Sequence, residues 1–360
     1  MNILHTADFH LDWEFSPFSP PLRAARRRDL LSIFRALPDL AAAKEAWAVV
    51  VAGDLFATDY PPREAVASLV DGLEVFAGRG IAVFLAPGHN PAEHELLAGL
   101  PLPANTVLVG AGAHQSPLLP ELTVYGFSCD APDGRPLRDF HRPDRPGLHL
   151  GVFHGFYGGL PGQAPDGGPL LLPEDAAGTG LDYLALGHHH EYFSCQNGPT
   201  RLAYPGSPGR LAFGQGPVRM ALLVRLGEGP AVVEQLPLTD RAYAELHYDL
   251  SAVSPAGVEE DLAARLDPDL CLHVILSGAV DGGDALAADR FRRKFAGGFF
   301  HLKIEDRTAV PPGPEDGTIR DLFLRRCRLA QIQPDLSPAE KAAEEYAMRA
   351  GLAALKGGEF

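Results

Sequence analysis

The sequence is short of cysteine, of basic charge and of long apolar runs. Its four cysteines, Cys129, Cys195, Cys271 and Cys327, lie far apart and form no C-x-x-C pair. That spacing excludes a paired-thiolate zinc site and reads as a reduced, cytoplasmic chain with buried thiols. Lysine and arginine number 31 against 46 aspartates and glutamates, a net charge of −15, which argues against a general basic field holding nucleic acid unaided. A local basic patch is not excluded by that sum. No run approaches the roughly 18 apolar residues of a membrane-spanning helix, so no membrane association is expected. The opening MNILHTADFH has neither a basic n-region nor a long apolar h-region and is not read as a signal peptide. No G-x-x-x-x-G-K-[ST] loop is present, which argues against P-loop nucleotide hydrolysis.

What is there is globular. The 360 residues, with 46% hydrophobic and 21% charged, suffice for one large domain and a smaller one. Five short apolar runs read as strands: NILHTAD (2–8), AWAVVVAGD (46–54), IAVFLAPG (81–88), LHLGVFHG (148–155) and DYLALGHHH (182–190). The second is a continuous β-branched run, typical of a strand buried on both faces. Segments 22–45 and 62–79 between the first three are long enough for crossover helices, and this alternation implies an α/β layered sheet.

The strands share a feature at their carboxyl ends. They finish at Asp8 and His10, at Asp54, at His89 and Asn90, at His154, and at His188–His190. Ligands of open α/β sheets bind at that edge. Taken singly, an Asp after a strand is most often a turn or cap residue, and a histidine such as His154 is more often a hydrogen-bonded core residue than a ligand. Five such endings together point to one site rich in oxygen and imidazole donors.

Within YLALGHHHEY (183–192), two imidazoles two residues apart on an extended segment project to one side. His188 and His190 are therefore expected to bind, and His189 to pack or be solvated. Aspartate, asparagine and histidine without cysteine suit Mn²⁺, Fe²⁺ or Zn²⁺ held by oxygen and nitrogen. Seven candidate ligands (Asp8, His10, Asp54, His89, His154, His188 and His190) exceed the needs of one ion. Two ions sharing a carboxylate fit that number, and paired ions are the usual device for phosphoester cleavage. Asp54, at the end of the most apolar strand, is the natural bridge.

HTADFHL, VVAGDLF, APGHN, VFHG, LALGHHH and YPGSPGRLAFGQ occur in that order. Together they resemble the calcineurin-like metallophosphoesterases, specifically the SbcD/YhaO-type DNA repair nucleases, strongly over 1–240 and more loosely beyond. The resemblance implies a four-layer αββα sandwich with a smaller α/β cap domain and a dinuclear Mn²⁺-type centre, Fe²⁺ and Zn²⁺ being the alternatives. One ion would take Asp8, His10, Asp54 and His190, and the second Asp54, residue 89, His154 and His188. It implies DNA as substrate, an SbcC-like coiled-coil ATPase as partner, and a homodimer.

One motif departs from that family. The family writes Gly-Asn-His and an acid, with Asn as ligand and His protonating or stabilising the leaving oxygen. This chain writes Gly88-His89-Asn90-Pro91. Nδ1 of His89 lies as many bonds from Cα as the amide oxygen it replaces, so His89 is expected to ligate. Asn90, expected against the phosphate, donates a hydrogen bond but delivers no proton near neutrality. His94 is a substitute. The residue pattern thus supports a two-metal phosphodiesterase, and the resemblance implies a DNA exonuclease or endonuclease in double-strand-break repair. The alternatives are a phosphodiesterase of cyclic or dinucleotide substrates and a non-catalytic metal-binding scaffold.

Residues 241–308 alternate strand and helix (AELHYDL, CLHVILSG, FFHLKIED) and resemble the cap domain of that family. Residues 309–360 hold a Pro/Gly-rich linker and two helices, the second opening with a capping box at Ser337–Glu340 and stopping at Gly357-Gly358. These helices either pack on their own domain or dock on the ATPase. Arg23, Arg26, Arg27 and Arg28 form either a phosphate-contacting cluster or a solvated helix face.

Overall fold

The computed structural model describes residues 1–127, 134–165, 168–280, 284, 286–311, 318–331 and 336–355. Cys129, the end of the Pro/Gly-rich linker and the expected stop at Gly357-Gly358 lie outside them. Cys195, Cys271 and Cys327 form no disulfide among the described residues. The chain divides into two compact units, Met1–Asp240 and Arg241–Phe360.

The first unit opens with β1 (Asn2–Thr6), α1 (Pro20–Ala43), β2 (Ala48–Ala52), α2 (Arg63–Gly78), β3 (Ala82–Ala86), α3 (Pro91–Gly99) and β4 (Thr106–Leu108). Every residue of β2 and β3 is buried, as continuous apolar runs require. β1 to β4 run parallel, and β13 (Arg219–Gly227) and β14 (Gly229–Leu238) extend the sheet antiparallel, in the order β14-β13-β1-β2-β3-β4.

After β4 the chain crosses to a second sheet. This is built from β5 (Gly112–Ser116), β6 (Leu119–Gly126), β7 (Leu148–His154), β10 (Tyr183–Gly187), β11 (Phe193–Asn197) and β12 (Thr200–Tyr204). The order is β11-β12-β10-β7-β6-β5, with β6, β7, β10 and β12 parallel. A two-stranded ribbon, β8 (Phe156–Tyr157) with β9 (Leu170–Leu171), and the short α4 (Pro173–Gly178) lie between β7 and β10.

Alternation sorts the side chains into layers. Ile3, Val50 and Phe84 face inward and meet Leu122, Val124, Leu150, Val152 and Ala185 of the other sheet. Leu4, Val49, Val51, Val83 and Leu85 face outward under α1 and α2, through Phe34, Leu37, Leu69 and Phe76. On the far side Phe153, Leu184, Leu186 and Tyr204 are covered by Ala176 of α4 and by the ribbon. The unit is therefore an αββα sandwich with a thin fourth layer. The five expected strands do not share one sheet: β1, β2 and β3 belong to the first, β7 and β10 to the second. Their carboxyl ends meet because both parallel sets run the same way across the sandwich.

The second unit carries a parallel sheet of β15 (Tyr243–Asp249), β16 (Asp267–Ser277) and β17 (Phe299–Asp306), joined by α5 (Pro255–Ala264) and α6 (Ala287–Lys294). Val258, Leu262, Leu272, Val274 and Phe291 form its core. α7 (Ile319–Gln331) and α8 (Pro338–Leu355) follow. They meet so closely at Gly351 that a Cβ there would lie 2.2 Å from Phe323 Cζ. Ser337 and Glu340 exchange the hydrogen bonds of a capping box at the start of α8. Arg349 donates to Asp306 and to the Thr308 carbonyl, tying α8 to the end of β17. No helix among the described residues is long and apolar enough to cross a membrane.

Candidate metal centre

Four of the seven donors are delivered by a backbone that turns sharply. Asp8, His10, Asp54 and His188 have positive φ, at 54°, 44°, 49° and 107°, as do only Phe15 and Glu45 among the other described residues that are not glycine. Such conformations cost energy and persist at sites where the surrounding fold enforces them. Two glycines admit the close approach. A Cβ at Gly88 would lie 1.9 Å from Asp54 Oδ1, and one at Gly187 would lie 1.7 Å from the Ala52 carbonyl oxygen.

The seven expected ligands come together in three overlapping groups: His89, His154 and His188; Asp8, His10 and His190; and Asp8, Asp54 and His154. Asp54 joins them with its two oxygens facing opposite ways. Oδ2 lies 3.7 Å from His10 Nε2, while Oδ1 lies 3.3 Å from His154 Nε2 and 3.9 Å from His89 Nδ1. His10 Nε2 and His190 Nε2 stand 3.1 Å apart. Two imidazole nitrogens bound at about 2.0–2.1 Å to one ion, roughly at right angles, stand about 3 Å apart. Asp8 Oδ1 accepts from the His188 amide at 2.8 Å, and its buried Oδ2 has no hydrogen-bond partner among the described residues. A buried carboxylate oxygen left so is costly unless a cation or proton faces it.

His154 Nδ1 lies 2.9 Å from the Ala52 carbonyl. A carbonyl only accepts, so Nδ1 carries a proton and the neutral ring turns an Nε2 lone pair toward Asp54 Oδ1. Two acceptors facing each other need a positive charge between them. Without an ion, that charge is a proton on the ring. Burial alone would lower the His154 pKa, but the hydrogen bond and charge of Asp54, with Asp8, raise it to about 9. Burial pushes Asp54 upward, yet His154, His10 and His89 hold it well below the usual carboxylate range. Asp8 is pushed up to about 7 by burial, with His154 opposing and Asp54 adding to the rise. Burial, then the neighbouring His10, lowers His190 to about 3, and burial also lowers His10. Neutral imidazoles and a shared carboxylate form a donor set suited to divalent ions of the Mn²⁺, Fe²⁺ or Zn²⁺ type.

His189 stays out of the cluster, its ring edge-on to Tyr204 at 5.5 Å. The alternation that suggested this is not a strand alternation. β10 ends at Gly187, and a bend at His188 sends His188 and His190 into different groups. The Asn90 side chain is engaged beside them. Its Oδ1 accepts from the Ala92 amide as the N-cap of α3, and its Nδ2 donates to Asp59. Asn90 and His89 line one crevice, while the amide of Asn90 is held by its own helix.

Two further buried carboxylates, Glu93 and Asp12, support the donor loops. Glu93 accepts from the Gly88 amide at 2.6 Å and the Phe56 amide at 3.0 Å, and burial raises its pKa to about 7. It thereby fixes the loops carrying His89 and Asp54. Asp12 accepts from the amides of Ala57 and Thr58 and binds the loop after His10 to the loop after Asp54. Glu93 reads in sequence as a capping-box acid three residues after Asn90. Of the expected arginine cluster on α1, Arg26 is fully buried against Asp29 and Asp240, Arg23 bonds the carbonyls of Ser16 and Phe18, Arg27 bonds that of Trp13, and Arg28 is exposed.

The chain is similar to known proteins. It is 27% identical over 222 residues to the uncharacterized metallophosphoesterase YhaO of Bacillus subtilis (strain 168), covering 58% of this chain and 53% of that protein. The chain thus spans about half the length of that curated relative. TT1561 of Thermus thermophilus aligns with 65% of this chain and 98% of its own, at 13% identity and a TM-score of 0.38. A single mutant of Vps29 from Entamoeba histolytica aligns with 66% and 100%, at 14% identity and a TM-score of 0.29. No protein-family model matches.

Proposed function

We propose that the chain is a metal-dependent phosphodiesterase that acts on DNA ends beside a coiled-coil ATPase. The observation that carries the hydrolase part is Asp54, whose two oxygens face two separate imidazole sets. The similarity to a metallophosphoesterase supports phosphoester chemistry. A pair of divalent ions, Mn²⁺ first among the three named, would supply Lewis acidity when bound. Asp8, His10 and His190 hold one side of the site and His89, His154 and His188 the other. His89, half-exposed, faces the approaching substrate. The fixed loops keep the donors preorganised, so little rearrangement accompanies the reaction.

The DNA assignment rests on the order of the motifs. The partner assignment gains support from α7, where Ile319, Leu322 and Leu329 are 73%, 60% and 65% exposed. Their i, i+3, i+10 spacing marks one helix face of coiled-coil type. Exposed Arg325, Arg326 and Arg328 flank it and complement an acidic partner helix. The competing reading, a metal-binding scaffold, is favoured by Asn90, whose side chain is engaged as a cap where the family keeps its proton donor.

Purified protein with Mn²⁺, incubated with linear DNA and with a chromogenic phosphodiester, tests all three readings. Cleavage of both supports the proposal, cleavage of the soluble ester alone moves the substrate to small molecules, and metal binding without turnover establishes the scaffold. For the partner, Leu322→Glu with Leu329→Glu should abolish co-purification with a coiled-coil ATPase. Retained association would remove α7 from the interface.

A further inference from the structure

We infer that the crevice beside the second imidazole group is a subsite for a single six-membered ring on the phosphoester, a phenyl or pyrimidine rather than a fused bicycle. This inference rests on the phosphodiesterase reading above. The crevice opens between the two sheets, at the ends of β3, β4, β6 and β7. His89 and His154 belong to its lining as well as to the donor group, so a phosphate held there would direct one ester arm inward.

Size selects the occupant. The crevice encloses about 160 Å³. An apolar cavity of about 150 Å³ takes up one benzene, whereas pockets for drug-sized ligands hold about 300–1,000 Å³. Chemistry agrees with size, because Val109, Val152 and Ala86 offer apolar walls and Phe127 an aromatic one. Phe127 is itself held edge-on by Phe140 at 4.9 Å and 86°, so its plane is set before any ring enters. Offset or edge contact with such a ring adds to what area burial alone contributes.

The width is fixed by backbone. The crossover between β4 and β5 lies on Gly126 so closely that a Cβ there would stand 2.0 Å from the Gly110 carbonyl oxygen. Two main-chain segments in contact do not separate by rotamer changes, so a second fused ring cannot widen the crevice at that wall. Ala111, exposed and part of the lining but of no donor group, is a position where a larger side chain should narrow the crevice.

The test measures binding of methyl, phenyl and 1-naphthyl phosphate to the Mn²⁺-loaded protein by calorimetry, with turnover of bis(p-nitrophenyl) phosphate followed separately. Wild type should bind phenyl phosphate about tenfold or more tightly than either of the others, the expected scale for seating one ring in a fitted apolar site. Ala111→Phe should bring all three within about threefold and leave metal content unchanged. Equal affinities in the wild type, or a phenyl preference that survives Ala111→Phe, would overturn the subsite. Ring preference without turnover would uphold the subsite and sink the hydrolase reading; turnover without ring preference would do the reverse.

Discussion

Gly187 and Ala52 touch across the two sheets: a Cβ on residue 187 would lie 1.7 Å from the Ala52 carbonyl oxygen. That oxygen also takes the Nδ1 proton of His154 at 2.9 Å. One backbone contact thus sets the spacing of the sheets and the tautomer of a candidate ligand. Gly187→Ala should force the strands apart or displace His154. Overpacking of this kind costs about 1–3 kcal/mol, and here the backbone has no rotamer escape. The expected result is a lowered urea midpoint together with weaker Mn²⁺ binding. Unchanged metal affinity would show that the His154 tautomer does not depend on this contact.

Asp54 and His189 form the sharpest contrast among site substitutions. Asp54→Asn removes the charge that faces both donor sets and should abolish most metal binding and all hydrolysis. His189→Ala removes a ring packed on Tyr204 and should leave both largely intact. Metal content by elemental analysis decides between them, and equal losses would mean that residue 189 enters the cluster.

Glu93 touches no donor, yet it accepts from the amides of Gly88 and Phe56. Such outer partners of a metal site typically contribute about 10–100-fold in affinity. Glu93→Ala should weaken Mn²⁺ binding by that order with the ligands all present. Glu93→Gln keeps one acceptor oxygen and should recover part of the loss. If the two variants bind Mn²⁺ as wild type does, the loops are held by other means.

The donors were legible because Asp8, Asp54, His154 and the His188–His190 run each follow an apolar strand. Strand termini converge whenever parallel sheets share a direction. Legibility ended where tertiary contacts decide. The string Gly88-His89-Asn90-Pro91 serves equally as a ligand loop or as a helix start, and only the turn of Asn90 over α3 separates the two. Glu93 matched a capping-box pattern, while its partner Phe56 lies 37 residues away. Arg26 looked like part of a basic face because charge is visible in sequence and burial is not. Its partner Asp240 is 214 residues distant. Even the separation of His189 from its neighbours came from strand alternation, where the structure uses a bend at His188.

The transposed motif predicts a dependence on the leaving group. General acid catalysis contributes about 10²–10⁴-fold, most for poor leaving groups such as a sugar alkoxide. Wild type should therefore favour activated aryl diesters over DNA. His89→Asn with Asn90→His should raise the DNA-to-aryl ratio while keeping about two ions per chain, the pairing that a two-metal site requires. It also removes the α3 cap, at about 0.5–2 kcal/mol. An unchanged ratio would point to His94, exposed on the same crevice, as the existing proton source; His94→Ala should then lower DNA cleavage alone.

His5 gives a pH dependence away from the donors. It is fully buried between the sheets with Nδ1 2.9 Å from the Tyr183 hydroxyl, and burial lowers its pKa to about 3. The unfolded chain binds a proton near the ordinary value of about 6.5, so the unfolded state holds more protons between those limits. The stability His5 contributes is therefore complete above about pH 6.5 and lost as pH falls toward 3. His5→Gln keeps a hydrogen-bonding side chain but does not titrate. It should be less stable than wild type at pH 8, and the gap should close by about 1.4 kcal/mol per pH unit below pH 6, then reverse. Urea midpoints at pH 8, 6 and 5 measure that gap, and a constant difference would mean that His5 titrates alike in the native and unfolded chains.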